Sequence, residues 1–197
     1  MALLTGLGEI TTNFLLNDFS VYVMNTTATG GFVSTDWALL GFTGDEKNIN
    51  RIQEKYEKEA KIPRVKVYTK VIRKGLELSY DLSNFNTGFA AELQQATKIS
   101  LGATGTRLSS GTTEATKVYR AMLFTADLDD GQHYNIMIGK SDNQLNGEQT
   151  VGGEEESKWP IITKAVYNPA TNATGNLYQE DWLASSVNAT SSVPAGF

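Results

Sequence analysis

The chain has 197 residues, 17 Lys/Arg against 22 Asp/Glu for a net charge of −5, a single histidine and no cysteine. That length can bury about 70% of the unfolded surface around one core. The composition excludes disulfides, thiolate metal sites and a thiol nucleophile, excludes a multi-histidine metal centre, and speaks against a protein that grips duplex phosphates with clustered cations.

Residues 1–20 carry Leu3, Leu4, Leu7, Ile10, Phe14, Leu15, Leu16 and Phe19, and read as an N-terminal arm with apolar anchors. The opening residues lack the basic region and apolar run of a signal peptide, and no apolar run approaches the ~18 residues of a membrane-spanning helix. The expected setting is therefore a reducing cytoplasm. The three sequons, at Asn25, Asn172 and Asn188, are then products of a Thr/Asn-rich composition. Ser20 to Met24 is a short β-prone run, and 26–31 a Thr/Gly turn or loop. Trp37 to Phe42 is an apolar block closed by Thr43-Gly44-Asp45.

Residues 46–60 pull two ways. Ile49, Ile52 and Tyr56 fall at helical spacing, and Glu54/Lys58 is an i,i+4 pair, so local propensity favours a helix. From Arg64 the pattern is alternating. Val65, Val67, Thr69 and Val71 take one face; Arg64, Lys66, Tyr68 and Lys70 take the other. Arg73-Lys74-Gly75 reads as a turn, after which Leu76, Leu78, Tyr80 and Leu82 alternate with Glu77, Ser79 and Asp81. Together these predict a β-hairpin with a basic and an acidic polar face.

Phe85, Phe89, Leu93 and Ala96 predict one helix ending near Lys98, with Ser83, Asn84 or Thr87 as N-cap. Residues 102–116 are a Gly/Ser/Thr loop. A second hairpin is predicted from Val118–Thr125 and His133–Ile138 around Leu128-Asp129-Asp130-Gly131. Residues 140–156 read as a polar loop and Trp159–Tyr167 as a last strand, with Pro160 suited to its start or to a sheet edge. Residues 170–197 form a C-terminal extension beyond a domain of 1–169, with Trp182, Leu183 and Phe197 as its anchors. The expected fold is mainly β: a β-sandwich or open barrel of about six to eight strands with one flanking α-helix, a long loop and N- and C-terminal arms.

Chemistry-bearing motifs are sparse. His133 in a strand reads as a packed or surface residue. Asp127, Asp129 and Asp130 lack the ligand spacing of an EF-hand. Glu154-Glu155-Glu156 reads as a solvated loop, and the glycines at 102, 105 and 111 lack the Lys-Ser/Thr of a phosphate loop. Tyr119, Phe124, Tyr134, Trp159 and Tyr167 read as sheet packing. No catalytic residue, metal ligand or cofactor is expected.

The order of elements resembles the major tail tube proteins of long-tailed bacteriophages. The features are the block Trp37-Ala38-Leu39-Leu40-Gly41-Phe42-Thr43-Gly44, a charged stretch ending at Ile62-Pro63, the segments 65–69 and 76–82, and a helix from Phe85 to Gln95. The likeness spans about residues 30–170 and rests on order and texture, not on a short motif. It implies an extended conformation for 46–60, against the local propensity. It further implies homo-hexameric rings stacked into a tube, contacts with a tape measure and other tail proteins, and a place in the virion tail after synthesis in the host cytoplasm. DNA would pass through the lumen without tight binding, and no membrane is involved. An acidic or weakly charged lining would let the DNA slide. Arg64, Lys66, Lys70, Glu77, Ser79 and Asp81 are the candidate lumen or inter-subunit face. The alternatives are a β-sandwich binding module, for example for carbohydrate, or another virion structural protein.

Overall fold

A computed structural model describes residues 18–24, 37–60, 65–83, 87–111, 117–128, 131–148, 158–167 and 177–183. The strands are β1 (Ser20–Met24), β2 (Trp37–Ala60), β3 (Val65–Ser83), β4 (Thr97–Ser100), β5 (Thr106–Ser109), β6 (Arg120–Asp127), β7 (His133–Leu145), β8 (Trp159–Ala165) and β9 (Gln179–Leu183). The helix is α1 (Thr87–Leu93). The order β6-β1-β2-β3-β8-β7 closes on itself through β6–β7 pairing, giving an antiparallel six-stranded barrel. The expected class, mainly β with one helix, is the observed one. Closure gives each barrel strand two partners, which removes open edges from the body.

β7 makes the closure possible by sharing one edge between two strands. Its first half, His133 to Met137, pairs with β9, and its second, Ser141 to Leu145, pairs with β8. The strand β9 comes from within the segment read as a C-terminal extension. The predicted loop 140–156 begins late, because β7 runs on to Leu145. Between the pairs Met122↔Ile138 and Arg120↔Ser141 the register shifts by one residue. That shift changes which residues face inward: Tyr134, Ile136 and Ile138 before it, Ser141 and Asn143 after it.

The barrel core gathers Phe19, Val21, Leu40, Leu76, Leu78, Tyr80, Leu82, Met122, Phe124, Ile136, Ile138 and Ile161. Phe124 stands edge-on to both Phe19 and Tyr80, at 6.3 and 5.3 Å between ring centres. A second cluster, Met24, Trp37, Ala121, Leu123 and Met137, uses the opposite face of β6 and β7. Both faces of β6 are therefore buried, which explains why Ala121-Met122-Leu123-Phe124 is a continuous apolar run. α1 adds Phe89, Ala90 and Leu93 to the barrel core. It is held to β6 by Arg120, whose guanidinium forks onto the Glu92 carboxylate.

Several expectations are corrected. Residues 46–60 are not helical; they continue β2, paired residue by residue from Lys47↔Tyr80 to Ala60↔Val65. Arg73-Lys74-Gly75 is not a turn. These residues lie inside β3, facing Glu54, Gln53 and Ile52. The described residues of the predicted hairpin, 65–71 and 76–82, thus belong to one strand, and its true partner is β2. Nothing at this place requires glycine: a Cβ on Gly75 would sit 3.5 Å from Ile52 Cβ, ordinary contact. The helix is shorter than predicted, since Thr97–Ser100 leaves it to pair with Thr106–Ser109 inside the predicted loop. Of the two places expected for Pro160, the start of its strand is the one found, since β8 opens at Trp159. β8 lies between β3 and β7, and Pro160 stands where its ladder ends, its carbonyl accepting from Asn146 N at 2.8 Å. The Asp-Gly turn is as predicted: Gly131 has φ of 81° and donates its N–H to Leu128 O.

Candidate functional site

Beyond the barrel, β2 and β3 have only each other among the described residues. β1 covers β2 over Trp37 to Phe42, and β8 covers β3 over Glu77 to Leu82. From the pair Ile52↔Gly75 outward to Ala60↔Val65 the two strands form a ribbon with no third strand among the described residues. A two-stranded ribbon is marginal in water by itself. Its exposed side chains are mostly polar: Gln53, Glu54, Lys55, Glu57, Lys70 and Lys74, with Tyr56 at 52% exposure.

The ribbon's charge is opposite to that of the whole chain. Residues 52–74 hold eight Lys/Arg and three Glu, a net +5. Since the chain carries −5, everything outside the ribbon carries −10. Both numbers count the sequence, including the residues that join the two strands.

The predicted face divides between ribbon and barrel. Glu77, Ser79 and Asp81 alternate with the buried Leu76, Leu78, Tyr80 and Leu82, so they lie together on the outer surface of the barrel, half-buried. Glu77 pairs with Lys164 of the neighbouring β8 at 3.3 Å. Lys70, opposite Tyr56, is exposed on the ribbon. It shares the face of Glu77, because their β2 partners Tyr56 and Asn50 are six residues apart on a regular strand. Lys66 pairs with Glu59 in the ladder. Arg64 lies outside the described residues. The basic and acidic members are therefore successive along one strand and not cross-strand partners.

A cluster at the ribbon base has no counterpart in the sequence reading. Arg51 Nε and Nη2 each reach a Glu180 oxygen at 2.8 Å, a two-pronged grip across β2 and β9. The Tyr134 hydroxyl donates to Glu180 Oε2 at 2.6 Å and accepts from Arg51 Nη2 at 3.0 Å. The Arg51 hydrogen bond is the main influence holding the Glu180 carboxyl below the usual carboxylate range; burial opposes it, and the Tyr134 hydroxyl assists. Tyr134 is pushed above the usual phenol range, first by burial and then by Glu180. The Tyr134 ring also meets Trp182 of β9 at 5.0 Å. No local pattern links Arg51 to Glu180, which are 129 residues apart.

Elsewhere His133 Nδ1 lies 2.6 Å from Asp127 Oδ1, a cross-strand pair beside the hairpin turn. Among the described residues no three acidic or histidine side chains stand close enough together to hold a metal ion, and no helix is long and apolar enough to cross a membrane. A cleft of about 140 Å³ lies between α1, β1 and β2, lined by Leu39, Leu40, Phe89, Glu92 and Arg120 among others. Compared with known protein families and with curated proteins, the chain matches no family model and no curated sequence.

Proposed function

We propose that this chain is the structural subunit of a phage tail tube, assembling with copies of itself into stacked rings, hexameric by the family resemblance, whose lumen conducts DNA. The observation that carries the reading is the ribbon: a two-stranded projection whose sequence is basic while the rest of the chain is acidic. Alone, it leaves two strands without a supporting layer and concentrates +5 of charge at one place. Set against a neighbouring copy, whose residues outside 52–74 carry −10 in all, the same ribbon gains both a partner to lie on and a complementary charge. A projection of one copy on the body of the next is a head-to-tail contact. Such contacts give rings where the rotation closes and filaments where it does not, and a tube of stacked rings uses both.

The outer barrel face with Glu77, Ser79 and Asp81 then serves as lining or as ring contact. Its Glu77 is paired with Lys164, and Ser79 and Asp81 add a hydroxyl and a carboxylate, a weakly charged surface of the kind past which DNA slides. The test is electron microscopy of the purified full chain across a concentration series. Hollow tubes or rings of uniform diameter are the expected result. A particle that stays monomeric at every concentration, with the ribbon unprotected from hydrogen exchange, overturns the reading.

A further inference from the structure

We infer that β9 is a clamp that fixes the pose of the ribbon, with Glu180 gripping Arg51 and Tyr134 bracing both. Arg51 stands at the last β2 position before the ribbon leaves the body. Its ladder partner Leu76 is fully buried, and the next β3 residue, Glu77, is the first that β8 supports. At this joint the two strands lose their neighbour sheet, and a rigid exit direction needs some other fixed point. β9 supplies one from the far end of the chain.

The geometry is that of a fixed grip. The carboxylate meets the guanidinium with both oxygens, and its Oε2 also accepts from Tyr134. Two parallel charge-assisted bonds set the angle between two planar groups as well as their separation. Tyr134 is itself held: its ring packs against Phe19 in the core and against Trp182 on β9. Three strands that are distant in sequence, β2, β7 and β9, thus meet at one carboxylate. Arg51, Glu180 and Tyr134 are positioning residues for the ribbon, and release of β9 frees its base. The consequence for assembly rests on the tail-tube reading; the clamp itself does not.

The test is hydrogen exchange on the full chain, read at the ribbon-base amides 49–52 and 74–77, with the β6 amides 121–126 as the internal control. Glu180→Ala is expected to speed exchange at the ribbon base about tenfold and leave β6 unchanged. Tyr134→Phe keeps the ring packing and removes only the brace, so it is expected to give a smaller increase in the same place. The reversed pair Arg51→Glu with Glu180→Arg is expected to restore most of the protection. If Glu180→Ala speeds exchange in β6 as well, the protein has opened globally and Tyr134→Phe decides. Acceleration confined to β9, with the ribbon base unchanged in every variant, overturns the clamp. If the ribbon base responds but the wild type forms no rings or tubes, the assembly reading fails and the clamp stands.

Discussion

Thr163 is fully buried in the barrel, yet its hydroxyl is used twice. It donates to Asn143 Oδ1 at 2.7 Å, so the 3.0 Å contact with Tyr80 is a bond it accepts from the phenol. Asn143 Nδ2 then donates to Ser141 Oγ, and Ser141 Oγ to the Arg120 carbonyl. Every link points one way, from β3 through β8 and β7 to β6. Burial pushes the Tyr80 hydroxyl well above the usual phenol range, and Thr163 only partly offsets this, so Tyr80 stays a donor. Thr163→Val keeps the volume but orphans the Tyr80 hydroxyl and Asn143 Oδ1. It is expected to cost about 1–3 kcal/mol, against about 1 kcal/mol for Tyr80→Phe, with the double variant costing less than the sum. Urea midpoints of the three variants check this. Glu180 gives a pH dependence of definite sign. Its carboxyl is held below the usual range chiefly by Arg51, while a released β9 returns it to the ordinary carboxylate range. A depressed value in the attached state makes attachment strongest above that range. The stabilisation is lost as pH falls through the attached value. Because Trp182 lies against Tyr134, its fluorescence is expected to change in acid as β9 comes away. Glu180→Gln is expected to lack that transition, and identical acid profiles for the two proteins would refute the assignment.

At the scale of elements, two glycines with the same appearance in sequence do opposite things. Gly131 sits at φ 81° in the β6–β7 turn, where a side chain is strained, so Gly131→Ala is expected to cost about 1 kcal/mol. Gly75 lies in the ladder with room for a Cβ against Ile52. Gly75→Ala is expected to be neutral or to stabilise by up to about 1 kcal/mol, by restricting the unfolded chain. Thermal unfolding of the pair decides, and a large loss from Gly75→Ala would restore the turn that the sequence suggested. The difference shows what was legible. The alternation of Leu76, Leu78, Tyr80 and Leu82 reports a one-sided burial that is local to the strand, and so it was read correctly. The Asp-Gly turn is also local. What joins 46–60 to 65–83 is a ladder of long-range pairs, and no single-segment propensity carries that information; Glu-Lys spacing that suits a helix is overridden by pairing to β3. The candidate face and the clamp differ in the same respect. Glu77, Ser79 and Asp81 were placed together because they alternate along one strand. The clamp of Arg51, Glu180 and Tyr134 was missed because its members meet only through the barrel's closure.

For the molecule as a whole, the decisive quantity is the distribution of charge and not its total. A net −5 suggests a weakly acidic surface, but it is the sum of a +5 ribbon and a −10 remainder. Within one copy the ribbon joins the barrel at its base, and from Ile52↔Gly75 outward no described strand flanks it. On the tail-tube proposal they attract between copies, and an attraction between surface charges is screened by salt. The Debye length falls from ~10 Å at 0.1 M to ~3 Å at 1 M, and ribbon–body attraction is expected to weaken across that range. Light scattering at fixed protein concentration is therefore expected to show slower tube growth as salt rises. The double variant Lys70→Glu with Lys74→Glu takes the ribbon from +5 to +1. It is expected to assemble poorly at low salt and to be less salt-sensitive than the wild type. Both lysines are exposed, so this variant leaves the barrel core intact. Growth that quickens with salt in both proteins would mean that apolar contacts dominate, with the exposed Leu39, Phe42 and Trp182 as the first places to look. Retention of the wild type, but not the variant, on duplex DNA at low salt would instead assign the ribbon a nucleic-acid partner.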